Sequence, residues 1–477
     1  MTLQSQDTDT SDATDSDAID TSDTTQVPRP EVVPPEPYTF PEPTRQTLTN
    51  GLTVVAYDVP GQYVVSVRLV LPLPLATEPR DREGVATILA RTLDEGTTEH
   101  TSAEFAELLE RKGVALGAGA SEPGLTVEVD VAKRHLDYAL DLLRQALTQP
   151  AFPAAEVERH RKQRLAEIEQ ERAVPGQRAA IELLATLYAP GERASRPTAG
   201  SRDTIASITR DDVAALHAAH VGPAGATIVV AGDLAGVDAV AAVEAALGGW
   251  AVPAGSALPQ GDVAATPAAP ADDRVRIVML DRPGSVQTEL VVACPGPDRK
   301  VARGWSAYPV LSFVLGGGPN ARIDSVLREE KGFTYGIRSG FRPRRSGGLF
   351  LTSGSVRADS TVEALGTLLD ILDGGRDGFT DAEVRSGVDF VAMTAPGRYA
   401  TADAIADEAA TMAQDGLTTQ FTTHNLRQMV RLEAADLDGA YRDVVDGRWT
   451  VVVVGDAAAY ADGIRALGRG DVTVLPA

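Results

Sequence analysis

One cysteine in 477 residues, Cys294, excludes an intrachain disulfide and a thiolate zinc site. It ends the apolar run Val291-Val292-Ala293-Cys294, so it is expected to be a small buried side chain. Histidine is scarce as well, with six residues. The one possible ligand pair among them, His217 and His220, lies three apart on one helix and is expected to be structural or at the surface. Basic residues are outnumbered, 44 Lys and Arg against 67 Asp and Glu, and the net charge of −23 excludes a nucleic-acid partner, whose phosphates would be repelled. No stretch approaches the roughly 18 apolar residues of a membrane span. The N-terminus has neither the basic nor the apolar region of a secretory signal, so the expectation is a cytoplasmic protein with no membrane partner. Gly117-Ala118-Gly119 lacks the third glycine of a dinucleotide loop, and no phosphate loop is present.

What the chain does contain is a repeat. Asp58-Val59-Pro60-Gly61 returns as Asp281-Arg282-Pro283-Gly284, and Val230-Ala231-Gly232-Asp233 returns as Val453-Val454-Gly455-Asp456, both 223 residues later. Leu108–Gly113 has a further echo ending at Gly332. Equal spacings at opposite ends of a half indicate a tandem duplication of a β/α domain. The expected layout is a disordered acidic and Pro-rich tail over 1–43, a first domain over 44–250, a Pro/Ala/Gly-rich linker over 251–273 and a second domain over 274–477. In the first half, strands over 52–57 and 64–70 flank a Pro60-Gly61 turn. Helices are expected near 82–94, from the capping box Thr101/Glu104 over 102–112, over 134–147 and 154–172, and again after Thr209 and Asp212. Strand-like text covers 114–130 and 226–230. Hairpin-linked strands with long helices give the fold class: α+β, two tandem domains, each with helices packed on a largely antiparallel sheet.

Residues 313–341 form the most structured motif. Gly316-Gly317-Gly318-Pro319 stops one helix, and Pro319 or Asn320 starts the next. Ile323, Val326 and Leu327 make its apolar stripe, with Arg328 at the edge. Gly332 ends it, and an alternating strand is expected from Phe333 through Tyr335 and Ile337 to Phe341. A guanidinium and a phenol are thereby brought near one helix end, with a glycine loop behind them that lets a substrate backbone approach.

The text LGGGPNARIDSVLREEKGFTYGIRSGF, followed by SGGLFLTSGSV, resembles the C-terminal domain of the pitrilysin/insulinase-type (M16) zinc peptidases, in particular their mitochondrial-processing-peptidase-like branch. The resemblance extends over nearly the whole chain after about residue 45 and implies two domains facing each other as half a clamshell. It implies that Arg328 and Tyr335, seven apart, are the pair that binds substrate and stabilises the transition state. It also implies a zinc motif, H-x-x-E-H, on the helix near 82–94. There Thr87, Ala90 and Arg91 stand in place of His, Glu and His, while Glu167, eight residues before Pro175, matches the third ligand. Threonine is a poor zinc ligand, alanine has no donor, and arginine stays charged. The expectation is therefore no metal on this chain, and an Arg91–Glu167 ion pair in the vacated site.

Three functions fit these residues. The preferred one is a non-catalytic, substrate-binding subunit of a heterodimer, with Arg328 and Tyr335 complementing the zinc of a homologous partner that carries H-x-x-E-H, and Gly316, Gly317 and Gly318 along the peptide. The second is a structural or peptide-binding pseudo-peptidase. The third is a self-sufficient enzyme.

Overall fold

The computed structural model describes residues 36–251, 266–270, 275–318 and 320–477. Most of the expected tail and linker therefore lies outside the described residues. Two six-stranded mixed sheets organise the rest. The first is ordered β1-β2-β6-β3-β5-β4, from β1 (Thr44–Thr47), β2 (Thr53–Asp58), β3 (Val64–Leu71), β4 (Ala115–Ser121), β5 (Gly124–Ala132) and β6 (Thr227–Gly232). The second is ordered β12-β7-β11-β8-β10-β9, from β7 (Arg276–Asp281), β8 (Gln287–Gly296), β9 (Arg338–Pro343), β10 (Gly348–Arg357), β11 (Thr450–Gly455) and β12 (Asp471–Pro476). The duplication holds at the level of register. Thr53 pairs with Thr227 and Ser66 with Ala231, and 223 residues on Arg276 pairs with Thr450 and Glu289 with Val454. The outer strand differs: β1 precedes β2 and runs antiparallel to it, whereas β12 comes from the chain's end and runs parallel to β7.

The strands flanking Pro60-Gly61 do not form the hairpin expected from sequence. β6 inserts between them, parallel to β2 and antiparallel to β3. The repeated motifs explain why. Asp233, just after β6, accepts from Gly61 N at 3.1 Å, and Asp58 accepts from Leu234 N at 2.9 Å. In the second half Asp456 accepts from Gly284 N at 2.9 Å, and Asp281 from Ala457 N at 3.0 Å. Each Asp-x-Pro-Gly turn is thus bound to the Gly-Asp that follows the inserted strand, and the two motifs are halves of one reciprocal cap.

Six helices position the site: α1 (Val85–Thr92), α2 (Ser102–Arg111), α3 (Ala154–Ala173), α4 (Pro175–Leu187), α5 (Asp381–Arg398) and α6 (Ala402–Gln414). Helices of the first half cover one face of the first sheet, burying Val67, Leu69, Ile88, Leu89 and Val129. The opposite face is covered by the other half of the chain. On the first sheet α6 packs over β3 and β6, where buried Arg68 donates to Asp407 at 2.6 Å. Reciprocally, α4 packs on the second sheet, with Ala179 and Leu183 against Val278, Val291 and Val452. α4 and α6 occupy equivalent places in the repeat, so the halves exchange one helix each.

Residues 36–43, expected within a disordered tail, are packed. Phe40 is 2 % exposed and meets Tyr57 and Tyr399 with ring centroids at 5.6 and 5.1 Å. Two aromatics within four residues bury enough apolar surface to order a segment that its prolines and acids alone would leave loose. Phe40→Ala is expected to destabilise the protein by about 3–5 kcal/mol, as deletion of a buried ring does, read as a shift in the urea midpoint. Cys294 is buried in β8, and burial pushes its thiol up. His217 is structural, its Nε2 lying 2.9 Å from the carbonyl of Leu147 and its ring against Phe152. No helix among the described residues is long and apolar enough to cross a membrane.

Candidate functional site

Two centres matter, one on each half. The first begins at the N-terminus of α1, where the buried carboxylate of Glu78 accepts from Gly84 N and Ala86 N, both at 3.0 Å, and from Arg193. That cap fixes the helix start and satisfies orphan donors. One turn apart, Thr87 and Arg91 lie on the same half-exposed face, while Ala90 is buried. Arg91 grips Glu167 of α3 with both ends of its fork, Nη1–Oε1 at 2.9 Å and Nη2–Oε2 at 2.7 Å. Glu167 also accepts from Arg164 at 3.3 Å, and Arg164, 4 % exposed, pairs in turn with Glu171 and donates to the carbonyl of Ala199. The Arg91 hydrogen bond, reinforced by both guanidinium charges, holds the Glu167 carboxyl below the usual range. Further down the same helix pair, Glu95 meets His160 at 2.8 Å and accepts from Ser102.

The α1–α3 seam is therefore a charge zipper. Glu167 and Glu171, read from sequence as part of a solvated carboxylate face, are paired. Among the described residues no three His, Cys, Asp or Glu gather in a way that would hold a metal. The donor set does not suit zinc: the single carboxylate at the expected position is bracketed by two fixed cations.

The second centre follows a helix, Ala307–Ser312, that widens into π turns over Phe313–Gly317. A side chain on Gly316 would lie 2.7 Å from Ser339, and one on Gly318 would lie 2.7 Å from the ring of Phe313. These glycines let the helix end press against β9 and wrap its own phenylalanine. Pro319 lies outside the described residues. The next helix starts at Arg322–Asp324 and continues as π turns over Ser325–Glu330. Its buried side carries Ile323 and Leu327, and Arg328 lies exposed beyond them, 3.4 Å from Glu329.

The strand expected from Phe333 does not form there; β9 begins at Arg338. Hydrogen bonding within the turn outcompetes the ladder. Thr334 Oγ1 donates to Ser355 O at 2.7 Å and accepts from Gly336 N at 3.0 Å, and Phe333 O accepts from Arg357 N at 2.9 Å. On the far side the fully buried Asp324 accepts from Ile337 N at 3.1 Å and from Arg338 at 2.7 Å. Tyr335 sits at the apex of this clamp and is 94 % exposed. No hydrogen bond joins Arg328 to Tyr335; the structure presents them separately, on either side of the Gly332 turn.

The repeat shows what was added here. Gly113 and Gly332 close equivalent helices with φ of +62° and +63°. The first half then reaches β4 through Val114 alone, whereas the second inserts 333–337 before β9. Comparing the two halves residue by residue marks the Tyr335 turn as an insertion, a signal that alternation of apolar residues concealed.

The profile described as the insulinase family of M16 peptidases matches residues 53–201, and the one described as the M16 inactive domain matches residues 207–389. The chain belongs to the M16 family. Among M16 relatives, an uncharacterized zinc protease of Mycobacterium tuberculosis is 23% identical over 433 residues, covering 88% of this chain and 95% of that one. The Helicobacter pylori protein named non-peptidase homolog YmxG is 26% identical over 264 residues, 55% of this chain and 59% of the relative. A crystal structure of an M16 inactive domain from Pseudomonas fluorescens superposes with a TM-score of 0.77 at 25% identity, over 87% of this chain and 98% of that one. An M16 chain with an ion pair in place of its zinc motif, an inactive-domain match and a non-peptidase relative is a pseudo-peptidase of the family.

One further contact bears on the second centre. Arg322, at the helix start after the glycine loop, holds Glu383 of α5 with Nε–Oε1 at 2.6 Å and Nη2–Oε2 at 2.9 Å. That guanidinium, with the Thr380 cap, lowers the Glu383 pKa to about 2. A depressed carboxylate contributes stability that is complete above its unfolded value near 4.5 and disappears as pH falls towards about 2. The melting temperature is expected to fall across that window, and Glu383→Gln should flatten the fall in a pH series of thermal melts.

Proposed function

We propose that this M16 chain is the non-catalytic, substrate-binding and transition-state-stabilising subunit of a heterodimeric zinc peptidase. Its two domains, 44–250 and 274–477, form half of a chamber, and a homologous subunit carrying H-x-x-E-H forms the other half. The observation that carries this reading is the Tyr335 turn: an exposed phenol held by hydrogen bonds on both flanks is displayed for something outside the chain. The partner's zinc activates water and polarises the scissile carbonyl. Tyr335 Oη donates a hydrogen bond to the oxyanion that develops there, and Arg328 fixes a neighbouring substrate carbonyl and adds positive charge. Gly316, Gly317 and Gly318 line the approach. The peptide lies extended along a sheet edge. β9 is a poor edge for this, because Phe341 N already donates to Ser312 Oγ at 3.0 Å. β4, Ala-Leu-Gly-Ala-Gly-Ala-Ser, is an edge strand with neither charge nor proline to block pairing.

The non-peptidase relative favours a second reading, a peptide-binding pseudo-peptidase with no proteolytic partner. Mixing the full chain with a homologous subunit bearing H-x-x-E-H separates the two. Joint elution, with zinc on the partner and peptide cleavage seen only in the mixture, is the expected result. Cleavage by the partner alone at the same rate would leave the second reading.

A further inference from the structure

Beside the glycine loop, two large apolar side chains of α5 face solvent. Phe390 is 46 % exposed and Met393 is 50 % exposed. They lie three residues apart on one helix face, so they form a single surface. Phe390 stacks on Phe313, ring centroids 4.4 Å apart and 26° from parallel. Phe313 in turn carries Gly318 against its ring, at a distance only glycine allows. The platform is held firmly from both sides. Gly387 brings α5 against Val310 and Val314, and the Arg322–Glu383 fork ties the start of α5 to the helix that follows the loop.

We propose that Phe390, Met393 and the edge of Phe313 form a recognition platform for a bulky apolar or aromatic side chain of the bound peptide. This rests on the reading of the chain as a substrate-binding subunit and names the class of peptide it selects. Three features favour a peptide side chain over a subunit. The apolar surface open on the two residues is on the order of 200 Å², well short of the roughly 800 Å² per partner that a stable interface buries. It adjoins the Gly316–Gly318 loop rather than lying apart from it. Its chemistry, a stacked ring beside a flexible thioether, adapts to aromatic and branched aliphatic groups alike. Exposed Arg385 and Asp389 border the helix face, so a peptide bearing either charge next to its apolar residue finds a counterpart.

The test is fluorescence anisotropy on the full chain with labelled Gly-Ser peptides carrying one central Phe, or Ala in its place. The wild-type chain should bind the Phe peptide about tenfold more tightly, the scale of burying part of an aromatic ring. A Phe390→Ser/Met393→Ser chain should bind both peptides equally, at the Ala level, with an unchanged melting temperature. Phe390→Leu, which keeps the surface apolar, should retain the preference. Persistence of the Phe preference in the double serine chain would overturn the platform while leaving peptide binding intact. A wild-type chain that self-associates through this face, with the serine variant monomeric, would also overturn it. Binding of neither peptide by the wild-type chain, together with no gain in turnover on adding the zinc-bearing homologue, would remove the underlying reading as well.

Discussion

Tyr335→Phe is expected to lower peptide turnover by the mixed complex about 100- to 1000-fold, the usual cost of removing one oxyanion donor. The substitution takes away a single hydroxyl from a side chain that is 94 % exposed and supports nothing else in the chain. The turn itself is held by Thr334, Phe333 and Asp324 and does not depend on the phenol. Joint elution with the partner and the melting temperature should therefore be unchanged. KM should move little, because the hydroxyl meets its acceptor only when the carbonyl becomes tetrahedral. Unchanged kcat in the reconstituted complex would withdraw Tyr335 from the chemistry. A kcat loss accompanied by dissociation would point instead to an interface.

Thr87→His with Arg91→His is expected to convert a chain without zinc into one that takes it up stoichiometrically. The two positions are one helical turn apart on the same face of α1, and Arg91 already reaches Glu167 at 2.7 and 2.9 Å, so two imidazoles there would converge on that carboxylate. Two His and one Glu supply the three protein ligands of a catalytic-type zinc site. The substitution also removes one of the two cations that neutralise Glu167. Affinity should rise at least about 1000-fold, more than the 10- to 100-fold that loss of outer-sphere support alone costs. Metal analysis after dialysis against zinc reads the change. Ala90 remains, so the variant should hold the ion without cleaving peptides, since no carboxylate stands ready to take the proton from its water. Equal zinc on the wild-type chain would contradict the charge-zipper reading.

The sequence carried the fold class and the repeat because both depend on local chemistry. Capping boxes at Thr101 and Thr209, the Pro-Gly turns and the 223-residue spacing all reappear in the structure. It also led to the Arg91–Glu167 pair, since a fixed cation opposite a carboxylate in a vacated site has an evident partner. What it did not show were non-local choices. Nothing near Pro60-Gly61 says that a strand from some 170 residues later enters between its two neighbours; only the aspartate pair that ties the motifs together does so, and only once it is seen in space. Residues 333–337 alternate as a strand should, but their hydrogen bonds run to Asp324 and Ser355 rather than along a ladder. Phe40 owes its order to Tyr399, more than 350 residues away.

The trade of α4 for α6 has a bearing on ancestry. A lone half would leave the back of its sheet bare, Val278, Val291 and Val452 in one case and the surroundings of Arg68 in the other. Such a unit would have survived only as a pair of identical chains, each lending its twin a helix. Fusion of the two genes then freed either half to diverge: one could lose its ion-holding residues, and the other could acquire a loop, without any loss of the shelter each gives its neighbour.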